Sequence, residues 1–413
     1  MATSWQLFVN MLAASFGTGI LSMPWSAAGA SVVPAVGIVL VVALLMAFTI
    51  SVLVDASEQT CTHDLASLLS LLPGRSARVM PLLVNVALWA SLWLVLVGYV
   101  ITIKDALQPF VDTPMLRTLV PSMLILPLCF LDLGRLAITS SLSLVATANL
   151  VAIVLWRFTY ERRALLLPAD VCWYGIGSGV ASMFSMSCTS MIIQMCALPM
   201  YVDLDDRSPW KFKRMVWLAF AVLFLVYAGF SIVGYLTVGS RVQQNILKDL
   251  PAGAWGTTTR LSYIVVIGAV YPMFVYPMIH SLRRSEILRH NGANVNLLAN
   301  VATVAIVVSA MVAGSLVDDL GFLNVLVGAG QCIVFVGLCP GLVGMYLLRA
   351  RSEDRSWKSM MIVMMVFCCV AGALGLLYTD NYVDDLSTSC LWRGPRHTVS
   401  SSLDSRARQS VLA

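Results

Sequence analysis

The sequence predicts an all-helical integral membrane protein. Of its 413 residues, 59% are hydrophobic and only 11% are charged, whereas soluble domains usually carry about 25% charged residues. The mean hydropathy of +0.85 is spread along nearly the whole chain and leaves no room for a sizeable soluble domain. We therefore expect one membrane domain, in which about 20 apolar residues form each helical span.

The uncharged runs set the expected number of spans. The first 54 residues contain no Asp, Glu, Lys, Arg or His, and this length predicts two helices joined by a turn at Gly29, Ser31 and Pro34. The other uncharged runs predict one span each and lie at 79–103, 118–131, 136–156, 171–202, 215–240, 261–279, 291–317, 320–348 and 359–379. The total is eleven spans, of which the one at 118–131 is the shortest.

The distribution of basic residues predicts the orientation of the chain. Cytoplasmic loops of membrane proteins are enriched in Lys and Arg. With a cytoplasmic N-terminus, the inner loops hold 14 of the 26 Lys and Arg residues and the outer loops hold 8. An odd number of spans places the polar tail at 380–413 on the other side, and its lack of apolar periodicity predicts disorder.

Several classes of protein are excluded by composition and spacing. The formal charge of +5 does not indicate a nucleic-acid partner, because the basic residues lie between apolar runs. The sequence shows neither Cys/His metal spacing nor the paired carboxylates or Ser and His constellations of an enzyme. The following cysteines lie inside apolar runs, and we expect them to fill the core: Cys129, Cys188, Cys196, Cys332, Cys339, Cys368 and Cys369.

One apolar run carries helix-breaking residues in its middle. The segment GTGILSMPWSAAGAS contains Gly17, Gly19 and Pro24, and broken helix in hydrocarbon is tolerated only where it is buried in protein or lines a cavity. We predict that a helix ends near Ala14 and Ser15 and that a second begins with Pro24 in its first turn. The first end presents carbonyls to an ammonium group or a small cation, and the second presents amides to a carboxylate. Close helix packing through the glycines is the alternative interpretation.

A second anomaly lies five spans later. The run at 171–202 is long for one crossing, and its segment FSMSCTSM at 184–191 clusters four hydroxyls and a thiol. Transporters built from two repeats place interrupted helices at corresponding positions in the two halves. The pair of anomalies therefore favours a transporter.

Four segments carry a resemblance to a known family. They are NMLAASFGTGILSMPWSAAGAS at 10–31, ALPMYVDLDDRSPWKFKRM at 197–215, YPMFVYPMIHSLRRS at 271–285 and DDLGFLNVLVGAGQCIVFVGLCPGL at 318–342. In this order they resemble the amino acid/auxin permease family, which includes sodium-coupled neutral amino acid transporters. The resemblance implies amino acid transport by a LeuT-type fold with discontinuous helices 1 and 6.

The resemblance also implies the domain organisation. A transmembrane transporter domain at 1–379 contains two inverted five-helix repeats at about 5–160 and 171–348 and an eleventh helix at about 358–379. The implied protein is a monomer in contact with membrane lipids. Its membrane is left open between the plasma membrane and an endolysosomal or vacuolar membrane.

Carried over by position, the resemblance implies binding residues at each interrupted helix. In the first helix a substrate carboxylate is bound by the amides of Gly17, Thr18, Gly19 and Ile20, and the ammonium group by the carbonyl of Ala14. At the unwound part of the sixth helix lie Ser187, Cys188, Thr189 and Ser190. Relatives often carry Phe-Ala-Phe followed by Cys-His in that region, and this chain departs from the pattern.

The side chains of the central spans indicate the charge of the substrate and the ion that could be coupled to transport. They contain no charged residue, and an unpaired charge there costs about 2.5 to 3.5 kcal/mol, so we expect a neutral amino acid. Charged or titratable groups are expected only at the rim, at Asp132, Asp203 and His280. The resemblance places a sodium ion at Asn10, Leu12 and Ser15, but Val270 stands where sodium-coupled members tend to carry Thr. Coupling to sodium, coupling to protons and transport without an ion all stay open.

Two other functions remain as alternatives. One is an amino acid sensor that signals to a soluble partner, and the other is a proton-coupled carrier of other small zwitterions. No cofactor is expected beyond a coupling ion. The loop DLDDR at 203–207 is expected to be solvated, with its acids paired to the following basic run, and an inner gate is its alternative role.

Overall fold

A computed structural model describes residues 3–130, 139–163, 171–251, 253–283, 294–348, 354–378 and 390–393. Its helices and strands are α1 (Ser4–Ser15), α2 (Gly19–Ala30), α3 (Val32–Thr60), α4 (Leu65–Ser70), α5 (Ser76–Ala106), α6 (Pro114–Leu128), α7 (Thr139–Arg163), β1 (Cys172–Gly175), α8 (Gly179–Met191), α9 (Gln194–Val202), α10 (Pro209–Val238), α11 (Ala254–Arg283), α12 (Val295–Leu316), α13 (Leu320–Gln331), α14 (Cys339–Tyr346), α15 (Arg355–Leu377) and β2 (Cys390–Arg393). A π-helical segment, Cys332–Leu338, joins α13 to α14.

The described residues contain nine helical segments that are long and apolar enough to cross a bilayer, and the bent pair of α1 and α2 forms a tenth. The predicted count of eleven is not confirmed, because α6 has only 15 residues. At a rise of 1.5 Å per residue, α6 is about 22 Å long, which is shorter than the hydrocarbon core of about 30 Å. The shortest predicted span is therefore the one that falls below the length of a crossing.

The turn after the first span consists of a single non-helical residue. Ser31 has a φ of 68°, in the region that non-glycine residues rarely adopt. Its hydroxyl donates to the carbonyl of Gly175 at 2.9 Å and accepts from the amide of Gly175 at 3.1 Å. The predicted turn is confirmed at Ser31, whereas Gly29 ends up inside α2 and Pro34 inside α3.

The centre of the bundle is formed by α2 and α8, which pack closely along their lengths. Near one end, a Cβ at Gly179 would collide with the backbone carbonyl of Gly29. Near the other end, a Cβ at Gly19 would lie 2.5 Å from the hydroxyl of Ser190. Only glycine allows this approach, and the contacts show that the two helices run antiparallel. Around them, α3 packs on α10 and α5 packs on α11.

A short antiparallel sheet ties the end of the described chain to one side of the bundle. Strand β2 pairs with β1, and a disulfide joins Cys172 to Cys390. The amide of Cys172 also donates to the hydroxyl of Tyr235, which is buried within the bundle, at 2.9 Å. We call the side that holds β1, β2 and Ser31 the strand side.

The strand Cys390–Arg393 lies within the tail for which the sequence predicted disorder, so that prediction is wrong for these four residues. An isolated segment of four residues has no apolar pattern, and it is ordered here by β-pairing and a covalent bond. Among the cysteines expected to fill the core, four are fully buried: Cys188, Cys332, Cys339 and Cys368.

Replacing Gly179 with Ala tests the close approach of α2 and α8. The added methyl group meets the Gly29 carbonyl, and overpacking of this kind costs about 1–3 kcal/mol. We expect a clear fall in the melting temperature of the purified protein in detergent. The matched control is Gly37→Ala in α3, where a Cβ meets no atom within 4 Å and the melting temperature should hold or rise. Equal melting temperatures of the two variants would contradict the packing described.

Candidate functional site

The chain between α1 and α2 leaves helical geometry in the middle of the first span. Phe16, Gly17 and Thr18 separate the two helices, whose axes are bent by 59°. The predicted interruption is therefore present. Pro24 is the sixth residue of α2 and not part of its first turn, as predicted, because the helix already restarts at Gly19.

The start of α2 presents buried backbone amides. In the described structure, the amides of Thr18, Gly19 and Ile20 donate to no backbone or side-chain acceptor, whereas the amide of Gly17 donates to the carbonyl of Ser15 at 3.0 Å. Thr18 is 7% exposed and Ile20 is fully buried. A helix N-terminus carries a partial positive charge and binds anions. Three of the four predicted amides are thus available to a carboxylate, and that of Gly17 is engaged.

The second interruption lies later in the chain than the sequence predicted. Ile192 and Ile193 separate α8 from α9, and the amide of Ile193 donates to the side chain of Gln194 at 3.1 Å. The side chain of Gln194 in turn donates to the hydroxyl of Thr49 in α3 at 3.2 Å. Free backbone groups at this break are therefore partly satisfied by a neighbouring glutamine.

The four polar residues predicted at the unwound part of the sixth helix are helical. Ser187 and Ser190 donate to the carbonyls of Met183 and Met186, four residues earlier, at 2.7 and 2.9 Å. This back-bonding is the usual solution for a hydroxyl in apolar surroundings. Thr189 donates to the carbonyl of Asn324 at 2.6 Å, and Cys188 is fully buried. The hydroxyls of Ser187 and Ser190 thus bond within α8, that of Thr189 bonds to α13, and the break follows them.

A tyrosine that the sequence analysis missed connects the two interruptions. The hydroxyl of Tyr227 in α10 lies 2.6 Å from the carbonyl of Ser15 and 2.8 Å from the carbonyl of Ser190. These carbonyls belong to the last turns of α1 and α8, where helical acceptors lose their partners. Tyr227 is one aromatic residue in an ordinary apolar run, and no spacing in the sequence distinguishes it from packing residues.

The residues implied for ion binding lie on different faces of α1. Asn10 is exposed and Ser15 is buried, and Ala14, implied for the substrate ammonium group, is also exposed. The carbonyl of Leu12 accepts from the amide of Phe16 at 3.1 Å, and the carbonyl of Ser15 accepts from Gly17 and Tyr227. The two carbonyls thus already have protein donors, and Asn10 faces away from them.

The strand side above the break is closed by the loop between α10 and α11. We call residues 241–251 the plug. The amide of Ile246 donates to the carbonyl of Leu21 in α2 at 3.0 Å, and the side chain of Asn245 donates to Asp105 in α5 at 2.9 Å. Arg260 in α11 donates to the carbonyl of Leu250 at 2.6 Å. The plug is therefore bound to several spans at once.

Buried charges gather around the plug rather than at the breaks. Lys104 pairs with Asp318 at 2.8 Å, and Lys248 of the plug pairs with Asp105 at 3.0 Å. The hydrogen bond and charge of Lys104 lower the pKa of the Asp318 carboxyl, whereas burial raises the pKa of Asp249. Lys104 and Lys248 are thus each paired with a carboxylate at the edge of the bundle.

Of the three predicted rim residues, the structure describes the side chain of Asp203 alone. Asp203 follows α9 and is exposed, while Asp132 and the side chain of His280 lie outside the described residues. In the loop at 203–207, Arg207 lies 5.5 Å from the ring centroid of Tyr201. The following Lys213 pairs with Asp55 of α3 at 2.7 Å. The basic run therefore binds a carboxylate of α3, and the acids of the loop are not its described ion-pair partners.

Comparison with known proteins identifies relatives along the whole bundle. A profile of the family described as transmembrane amino acid transporter protein matches residues 1–379. Amino acid transporter AVT6E of Arabidopsis thaliana is 21% identical, with 90% of this chain and 82% of the relative covered. Amino acid transporter AVT3C of the same plant is 24% identical over 48% of this chain and 42% of the relative.

Solved structures share the fold at low sequence identity. MhsT in complex with L-phenylalanine has a TM-score of 0.54 and 12% identity, covering 90% of this chain and 97% of its own. A manganese transporter of Eremococcus coleocola has a TM-score of 0.53 and 14% identity, covering 92% and 90%. Mhp1, a nucleobase-cation-symport-1 family transporter, has a TM-score of 0.51 and 10% identity, covering 99% and 96%. The predicted LeuT-type fold is confirmed.

Removing the hydroxyl of Tyr227 tests its role between the interruptions. In Tyr227→Phe, the carbonyls of Ser15 and Ser190 lose the one hydroxyl proton that they share, and an unsatisfied buried group costs about 1–3 kcal/mol. We expect a lower melting temperature in detergent. The matched control is Tyr271→Phe, because the hydroxyl of Tyr271 is buried without a hydrogen-bond partner in the described structure and its loss should be neutral or stabilising. A smaller effect at Tyr227 than at Tyr271 would refute the bridge.

Proposed function

The chain belongs to the transmembrane amino acid transporter family, and from this premise we propose that it carries neutral amino acids across a membrane by alternating access. The observation that supports this most directly is the set of buried amides of Thr18, Gly19 and Ile20 at the start of α2. They fit the carboxylate that every amino acid carries. Gly19 places them against Ser190 of the other interrupted helix.

The charge distribution supports a neutral substrate. The described residues at the two interruptions, 16–18 and 192–193, carry no charge. Lys104, Asp105 and Arg260 are buried, but they lie around the plug and are bound there. A charged substrate side chain would need a countercharge in a medium of low dielectric constant. The free backbone amides at the start of α2 match the carboxylate of an amino acid without a charged side chain.

The plug supports alternating access as the transport mode. Its bonds to α2 and α5 hold it over the strand side in this conformation. We propose that opening toward the strand side requires the plug to leave Leu21 and Asp105. Coupling to sodium, to protons or to neither ion stays open.

The disulfide supports the predicted orientation. Disulfides persist on extracellular and luminal faces and are rare in the cytosol. The bond between Cys172 and Cys390 lies on the strand side, which is the side opposite a cytoplasmic N-terminus. We therefore propose that the strand side faces the exterior of a cell or the lumen of an organelle.

Uptake of radiolabelled neutral, basic and acidic amino acids into proteoliposomes tests the function. The panel is run with and without sodium and with and without a pH gradient. We expect neutral substrates to accumulate, and Gly19→Ala to reduce uptake at least tenfold because its methyl group meets Ser190. The matched control is Gly229→Ala in α10, where a Cβ meets no atom within 4 Å and uptake should persist. Transport of lysine or glutamate without any neutral substrate would overturn the proposal.

Labelling with a membrane-impermeant maleimide tests the orientation. Cys61 is exposed and free at the end of α3, on the side opposite the strands. In Cys172→Ser, the partner Cys390 becomes a free thiol on the strand side. We expect inside-out vesicles to label Cys61 and vesicles of the opposite orientation to label Cys390. Labelling of both thiols from one side would contradict the proposed arrangement.

A further inference from the structure

A groove with a volume of about 490 Å³ opens on the side opposite the strands. Its walls come from the last turns of α3, the first turns of α10 and the start of α15. Asp55, Lys213 and Arg214 lie at its outer end, while Phe48 and Trp217 lie deeper. We call it the α3/α10 groove. Its lining includes none of the residues at the two interruptions or in the plug.

The charged residues of the groove lie at its outer end. Asp55 follows Phe48 by seven positions in α3, and at 1.5 Å per residue the two are about 10 Å apart along the helix. The same spacing separates Trp210, at the outer end, from Trp217 in α10. The α3/α10 groove therefore has charged and aromatic residues at its opening and uncharged residues in its deeper part, which matches an amphipathic molecule rather than a small soluble anion.

One cation in the groove remains available. Lys213 is held by both carboxylate oxygens of Asp55, at 2.7 and 3.0 Å. Arg214 is exposed and lies 5.7 Å from the ring centroid of Trp210. Within the part of the chain that the structure describes, Arg214 has no carboxylate partner. Its guanidinium group, with several donors in one plane, suits a phosphate.

The depth of the groove corresponds to the bilayer surface. Trp210 is 68% exposed and Trp217 is 43% exposed, and Leu218 and Leu225 follow on the lipid-accessible surface of α10. Tryptophan is enriched where hydrocarbon meets the headgroups. Basic pockets between membrane helices at this depth bind anionic headgroups.

We propose that the α3/α10 groove is a binding site for an anionic glycerophospholipid. The phosphate contacts Arg214 at the opening, and one acyl chain lies against Phe48 and Trp217. In the orientation proposed above, this lipid belongs to the cytoplasmic leaflet. The charged phosphate stays at the membrane surface beside Arg214, and the acyl chain covers the aromatic side chains. Both contacts stabilise the bound lipid.

Native mass spectrometry of the full chain in detergent tests this site without any measurement of transport. Phosphatidylserine and phosphatidylcholine with the same acyl chains are titrated, and glycerophosphoserine serves as the headgroup without chains. We expect tighter binding of phosphatidylserine than of the other two. Arg214→Gln should weaken phosphatidylserine binding about fivefold, since one cation near a membrane surface contributes about 1 kcal/mol.

The matched control is Lys211→Gln, which removes the same charge outside the groove, where Lys211 donates to the carbonyl of Asp205 at 3.0 Å. It should change the affinity less than twofold. Trp217→Ala is a second variant at the aromatic end and should also weaken binding of phosphatidylserine. Equal losses from Arg214→Gln and Lys211→Gln would replace the site with general surface attraction. Equal binding of phosphatidylcholine, or of glycerophosphoserine, would overturn the proposal.

Discussion

Backbone groups that leave a helix inside a bilayer must find other partners, and the structure depends on how the two interruptions meet this requirement. Water is absent from hydrocarbon, so an unsatisfied carbonyl or amide there is costly. Tyr227 supplies a hydroxyl to the carbonyls of Ser15 and Ser190, while the amides of Thr18 to Ile20 keep their donor capacity. The site thus has satisfied acceptors beside unsatisfied donors, an asymmetry that favours an anionic group.

Glycine makes this arrangement compact. Gly19 and Gly179 allow α2 and α8 to approach until backbone meets backbone at one end and a serine hydroxyl at the other. Such packing fixes the position of the free amides relative to the second interruption. Because interiors packed at this density do not deform continuously, a change of access is expected to move whole helices or the plug rather than to reshape the site.

Charge is kept away from this centre and placed at the two surfaces. On the strand side, Lys104, Asp105 and Lys248 are paired around the plug. On the opposite side, Lys213 is paired with Asp55, and Arg214 remains without a described carboxylate partner. The free-energy cost of burying an unpaired charge thus explains why the centre is neutral and why the charges around the plug are paired. It also explains why the remaining cation lies at the depth of the lipid headgroups.

The sequence by itself determined the membrane class, most of the spans, the turn at Ser31 and the interruption after Ser15, because hydropathy and helix-breaking residues act locally. It placed the second interruption too early, since the hydroxyls of Ser187 and Ser190 bond to their own helix and the break lies beside Gln194 and its contact with α3. Tyr227, the plug and the pairing of Cys172 with Cys390 were decided only by tertiary structure. Their partners are distant in the chain, and a single residue in an apolar run carries no local signal of what it will meet.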